Sequence, residues 1–147
     1  MKPRILIAIH YMHLGGAEIS LIGMLQALDP NKVDVDLFVY SHEGELMKLI
    51  PEYVNVLPEN KTWSMFEKSL KQVFLSGEFK MGFARLRNKY LCKAYMKQPN
   101  HNSLGADCSY LGFEVSKVLP DINYSVTYDL AISFLTPHNF VLDHVKA

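Results

Sequence analysis

Apolar residues along the chain fall into short unbroken runs and one-sided stripes, and the two patterns alternate. Residues Arg4 to His10 read RILIAIH, a β-branched, nearly continuous run of the kind carried by strands buried on both faces. From Glu18 to Leu28 the apolar positions are Ile19, Leu21, Ile22, Leu25 and Leu28, a spacing that places them on one helix face. Asp29-Pro30-Asn31 ends that helix, because proline cannot continue it. Val33 to Tyr40, VDVDLFVY, alternates and then turns apolar, which predicts a second strand. Ser41 to Gly44 reads as a turn. Glu45 to Ile50 reads as a short helix halted before Pro51, and Val54 to Leu57 as a third strand ending at Pro58.

Beyond this point the pattern is helical from Thr62 to Lys97, with a break near Ser76-Gly77 predicted to separate two helices. Gln98 to Gly105 reads as a loop and Ser109 to Leu119 as a further helix stopped by Pro120. Tyr128 to Phe134, YDLAISF, reads as a fourth buried strand, and Thr136-Pro137 as a helix start with Pro137 at its first position. Successive strand–helix–strand units make right-handed crossovers, with their helices on the sheet faces. The expected fold is therefore α/β: a Rossmann-like three-layer α/β/α arrangement with a parallel sheet of at least four strands in the order 3-2-1-4. The pattern reaches Ala147 where a further strand is expected. The chain thus reads as the partial front of a domain, too short to catalyse alone.

Composition narrows the class. Apolar residues make up 49% and charged residues 20% of the 147 positions, enough to build a core and too apolar for a disordered chain. No apolar run approaches the roughly 18 to 20 residues a membrane-spanning helix needs. The opening run lacks the cleavage pattern of a signal peptide. The two cysteines, Cys92 and Cys108, have neither metal nor redox spacing, and a cytoplasmic setting is expected. Net charge is zero, but Lys61 to Lys97 holds nine basic and two acidic residues. Such asymmetry marks an interaction surface.

The segment with the richest chemistry is His10 to Glu18, HYMHLGGAE, between a buried strand and a helix start. Free amides and the helix dipole favour an anion there, and Gly15 and Gly16 allow a phosphate close to the backbone. The same two glycines could instead serve only a tight turn. The dinucleotide fingerprint fails, since the glycines are adjacent and no third follows. Glu43 stands too far on for a ribose-binding acid, and the P-loop pattern is absent.

GGAE after the first strand, the aliphatic helix ending in ALDP, and VDVDL with a glycine turn after it together resemble the opening of the large retaining glycosyltransferase family 4, of two-domain GT-B architecture. YDLAISF followed by a short helix is similar to the fourth-strand region of that domain. The likeness covers about 60 residues at the front and about 20 near the end. It implies an N-terminal, acceptor-side domain. The backbone of Gly15, Gly16 and Ala17 would meet the diphosphate of a nucleotide-sugar donor. His10, Tyr11, Met12 and His13 would line the acceptor side of the cleft, and Glu18 would stand at the helix start. The resemblance places the remaining catalytic groups beyond residue 147 and the donor grip in an absent C-terminal domain. The acceptor would be a glycan or lipid-linked sugar. The nucleotide sugar is a substrate, so neither cofactor nor metal is expected.

Other residues have plainer roles open to them. The six histidines, His10, His13, His42, His101, His138 and His144, form no HxxxH or HExxH pair, which argues against zinc catalysis. His138 and Asn139 follow the fourth strand at its carboxyl end, where open α/β sheets bind ligands. No GxSxG anchors a hydrolase triad. Cys92 reads as an apolar filler. Lys80, Arg85, Arg87 and Lys89, set among Trp63, Phe66, Phe79, Phe83 and Tyr90, could form a face for an anionic membrane; the resemblance implies the same use, at the inner face of the plasma membrane. The plainer reading is a buried stripe flanked by lysine stems. Nucleic acid is not expected, because no recognised binding module accompanies the charge. A non-enzymatic phosphate- or nucleotide-binding module is the alternative to an enzyme. An exposed sheet edge predicts self-association.

Overall fold

The computed structural model describes residues 2–95, 97, 113–123 and 125–146. Its strands are β1 (Arg4–Ile9), β2 (Asp34–Val39), β3 (Asn55–Val56) and β4 (Leu130–Ser133). All pair in parallel, in the order β3-β2-β1-β4. The helices are α1 (Gly16–Ala27), α2 (Lys61–Ser64), α3 (Leu70–Leu75), α4 (Phe79–Tyr95) and α5 (His138–His144). A 3-10 turn spans Glu45–Leu49, and residues 113–116 are helical. The parallel α/β architecture and strand order are those the sequence predicts.

Strand alternation divides the core into two layers. On one face Ile7, Ile9, Leu37 and Val39 pack against Leu21, Ile22 and Leu25 of α1. On the other, Leu6, Ala8, Phe38 and Tyr40 pack against Trp63, Val73, Met81, Val115 and Phe140. β1 lies between two neighbours, so Leu6, Ile7 and Ala8 are fully buried. Trp63 anchors the second layer. It meets Phe38 and Phe140 edge-on, and its indole nitrogen donates to the Pro120 carbonyl at 2.9 Å.

One carboxylate ties the four strands together. Asp36 on β2 is 1% exposed. It accepts from Arg4 on β1 (3.1 and 3.0 Å), from Asn55 on β3 (2.8 Å), and from the hydroxyl of Tyr128, just before β4 (2.7 Å). Burial alone would raise its pKa. The hydrogen bonds from Arg4, Tyr128 and Asn55 outweigh that and hold it below the ordinary aspartate value. Burial and the bond to Asp36 push the Tyr128 phenol up to about 12.

Several elements differ from the sequence reading. The stretch from Thr62 to Lys97 breaks twice. Gly77 turns at φ 84°, near the expected break. An earlier break arises because Ser69 and Gln72 form a reciprocal capping box that starts α3 afresh. α1 starts two residues earlier than expected, and Ile19 faces solvent rather than the core. β4 is not doubly buried, because it lies at the sheet edge with only β1 beside it. Pro137 sits at the N-cap of α5 rather than inside it. Arg85 does not join an exposed basic face. It is half-buried, and its guanidinium donates to the carbonyls of Lys68 (2.5 Å) and Met65 (3.4 Å). Cys92 is buried, as expected of a filler. The predicted loop from Gln98, the start of the Ser109 helix, His101 and Cys108 lie outside the described residues.

Candidate functional site

The loops leaving β1 and β2 are held against each other at the carboxyl edge of the sheet. The Met12 amide donates to the Glu43 carbonyl (2.8 Å), and the Leu46 amide donates to the Met12 carbonyl (2.9 Å). Gly44 permits this contact. Its φ is 112°, and a Cβ there would strike the backbone of Met12. Met12 is therefore fully buried, a structural member of the loop rather than a cleft residue.

Gly15 is the N-cap of α1, with extended φ −154° and ψ 166° and no side-chain cap. Gly16 opens the helix, exposed, and a Cβ there would meet nothing within 4 Å. Neither glycine has the positive φ found at Gly44 and Gly77, so the turn itself does not require glycine at either place. A Cβ on Gly15 would first meet the Glu18 carboxylate, which folds back over it and belongs to a flexible side chain. Gly15, Ala17 and Glu18 are half-buried.

At the carboxyl ends of β1 and β2 lies a cavity of about 340 Å³, lined by His10, Tyr11 and His13 from β1's end and loop, Tyr40, Ser41 and Glu43 following β2, and Trp63, Ser64, Phe66, Glu67 and Lys68; Gly15, Gly16, Ala17 and Glu18 do not line it. Lys68 reaches Glu43 at 2.6 Å across the rim, and that hydrogen bond holds the Glu43 carboxyl below its ordinary range. His10 Nδ1 lies 2.6 Å from Glu67 Oε1. Among the described residues, two buried side-chain atoms have no hydrogen-bond partner, His10 Nε2 and the Tyr40 hydroxyl. Both belong to residues lining this cavity. The Tyr40 hydroxyl faces Thr136 without closing a bond of ordinary geometry, and burial pushes its pKa upward. Burial also lowers the pKa of His10, against the upward pull of Glu67 and Glu18.

The structure thus brings His10, Tyr11 and His13 together. His13 also approaches Glu45 at 3.8 Å. His138 and Asn139 begin α5, exposed and half-buried respectively, and do not line this cavity. Tyr40 and Glu67 were missed as site residues in the sequence. Tyr40 was within reach of reasoning, since the register pairing Ile9 with Val39 sets the next residues, His10 and Tyr40, side by side. Glu67 carries no such signal, because its place depends on where the segment between α2 and α3 docks.

A second polar cluster has triad-like distances. Ser116 Oγ is 3.1 Å from His144 Nε2, and His144 Nδ1 is 3.0 Å from Asp121 Oδ1. Its chemistry is structural. Ser116 is buried, its hydroxyl donates to Asp143, and His144 Nε2 faces the Ser116 carbonyl oxygen at 2.8 Å. The serine proton is committed elsewhere, and the histidine nitrogen already has a backbone partner. Among the described residues, no three His, Cys, Asp or Glu side chains gather as a metal site, and no helix is long and apolar enough to cross a membrane.

In comparisons with known proteins, no family model, no curated protein and no solved structure matches the chain.

Proposed function

We propose that the chain is the acceptor-side domain of a retaining glycosyltransferase that moves a sugar from a nucleotide diphosphate to a glycan or lipid-linked acceptor. One observation carries the reading: the backbone geometry does not require glycine at Gly15 or Gly16, yet both stand at a helix start that follows a loop whose His10, Tyr11 and His13 line a cavity at the carboxyl edge of the sheet. Glycine there leaves the α1 amides open to a diphosphate, whose charge the helix dipole favours. The protein's part would be positioning and electrostatic stabilisation of the leaving diphosphate. A second α/β domain would supply the donor grip. In this reading the nucleotide sugar is substrate, and neither metal nor cofactor takes part.

The test is amide NMR of the 147-residue chain titrated with pyrophosphate and with uridine, guanosine and adenosine diphosphates. The Gly16 and Ala17 amides should move, and Gly16→Ala should weaken the response while leaving the fold intact. Silent amides with every diphosphate would remove the basis for the assignment. Amides that respond in a chain showing no transfer when joined to a donor domain would favour a plain phosphate-binding module.

A second reading concerns α4. Phe79 (57% exposed), Phe83 (64%), Leu86 (41%) and Tyr90 (73%) form one stripe along it, opposite the buried Met81, Ala84, Asn88 and Cys92. At about 100° per residue, Lys80 and Arg87 flank one side of the stripe and Lys89 and Lys93 the other. α4 contains no acidic residue, so a second copy packed along it would set like charges together. An anionic lipid surface fits both the aromatics and the cations. Arg87 also pairs with Glu114 at 3.2 Å, which lessens its share. Co-sedimentation with phosphatidylglycerol vesicles, absent with phosphatidylcholine and lost in Phe83→Ser, is the expected result. Binding indifferent to lipid charge would refute it.

A further inference from the structure

The cluster of Ser116, His144 and Asp121 constrains the protons of its histidine. His144 is buried, 9% exposed. Its Nδ1 lies 3.0 Å from Asp121 Oδ1, and a carboxylate only accepts, so Nδ1 must carry a proton. Its Nε2 lies 2.8 Å from the Ser116 carbonyl oxygen, which also only accepts. Neither neutral tautomer fits this setting. With the proton on Nδ1, the Nε2 lone pair faces a carbonyl oxygen. With the proton on Nε2, the Nδ1 lone pair faces a carboxylate. The Ser116 hydroxyl is 3.1 Å from Nε2 and donates to Asp143. Turning it to Nε2 would not help, because the carbonyl oxygen stays in place and Asp143 loses that donor. The imidazolium alone satisfies both contacts. The charged groups facing the ring are Asp121, from the segment after the 113–116 helix, and, through Ser116, Asp143 on its own helix. Glu114 and Lys117, which flank Ser116, pair with each other at 2.9 Å, and α2 presents the uncharged indole of Trp63.

We infer that His144 is a proton-operated clamp on the end of α5, closed while the ring holds both protons and released when rising pH removes one. Its neighbours define what it holds. The His144 carbonyl accepts from the Ile122 amide (3.0 Å). Two residues on, the Lys146 carbonyl accepts from the Tyr128 amide (2.9 Å), just before β4. α5 also carries Phe140, which meets Trp63 and Phe66 edge-on. Those two residues line the cavity, so releasing the clamp loosens the packing behind its wall. Solvent protons reach the ring past Asp121, whose side chain is 34% exposed. The inference is independent of the sugar-transfer reading.

The test is nitrogen NMR of the histidine-labelled chain across pH, with exchange of the Ile122 and Tyr128 amides measured alongside. In the wild type, both His144 nitrogens should be protonated while these amides are protected. Protection, corrected for the ordinary rise of exchange with pH, should fall in step with loss of the ring proton. The ring centre of Trp63 is 5.7 Å from that of His144. Its fluorescence should brighten over the same step, because an imidazolium quenches indole emission more than a neutral imidazole does. Asp121→Asn supplies an amide that can donate to Nδ1, so the neutral Nε2–H ring becomes fully partnered. That variant should hold its second proton about 10- to 100-fold more weakly, the worth of one charge-assisted hydrogen bond. Its Ile122 and Tyr128 amides should stay protected after the proton is lost. A wild-type ring with a single proton while Ile122 and Tyr128 remain protected would overturn the inference, whether or not the variant folds. So would wild-type proton affinity in a folded Asp121→Asn chain.

Discussion

Replacing Asp36 with alanine removes the acceptor shared by Arg4, Asn55 and Tyr128. Hydrogen bonds to a charged group contribute about 1.5–3 kcal/mol each, and breaking a buried pair by deleting one partner typically costs about 3–5 kcal/mol. Here the partners soften the loss. The Arg4 side chain is 38% exposed and can turn to water, and Tyr128 keeps a contact with Asn123 at 3.4 Å. The worked expectation is a destabilisation of about 2–4 kcal/mol, a large part of the about 5–15 kcal/mol typical of a domain. Asp36→Asn keeps one acceptor oxygen and should cost about half as much. Urea unfolding followed by tryptophan fluorescence reads this directly, because the single tryptophan, Trp63, is fully buried. The pH dependence gives a second reading. The folded-state pKa of Asp36 lies below its unfolded value. Its contribution is therefore complete above the unfolded pKa, about 3.9, and is lost as pH falls through the folded pKa. Asp36→Asn should flatten that acid limb. A loss under about 1 kcal/mol in Asp36→Ala, or an acid limb unchanged in Asp36→Asn, would show that the four-strand tie contributes little.

Other substitutions probe separate parts of the chain. Gly44→Ala combines a left-handed φ with a clash against the Met12 backbone; it should cost about 1–3 kcal/mol, measured by thermal unfolding. Gly16→Ala meets no neighbour and should leave stability equal or raise it by up to about 1 kcal/mol, while weakening diphosphate binding. Ser69→Ala removes the capping box and should cost about 1 kcal/mol, seen as faster amide exchange in α3.

Much of the fold was legible because β1 carries an unbroken apolar run, β2 alternates and then turns apolar, and proline ends the elements between them. Crossover handedness put the helices on the sheet faces, and the strand order came with the doubly wound pattern. β4 was harder. YDLAISF is as apolar as a central strand, and no local pattern reveals that it lies at an edge. The second break after Trp63 could be read only from Ser69 and Gln72 as a cap, which the broader helical pattern hid. At the site, His10 and His13 were visible because they adjoin the glycine loop, whereas Glu67 sat in a basic stretch whose tertiary position no spacing encodes. Arg85 was misplaced for a similar reason: on a helix rich in cations, nothing in the sequence singles out the one whose head turns inward to backbone carbonyls.

The Met12 splice between the two loops has a thermodynamic consequence. Glu43 receives the Met12 amide through its carbonyl and grips Lys68 through its side chain, so the glycine segment and the rim of the cavity are mechanically one piece. Any ligand that ordered the first would lower the ordering cost at the second, and by linkage the reverse would hold with equal strength.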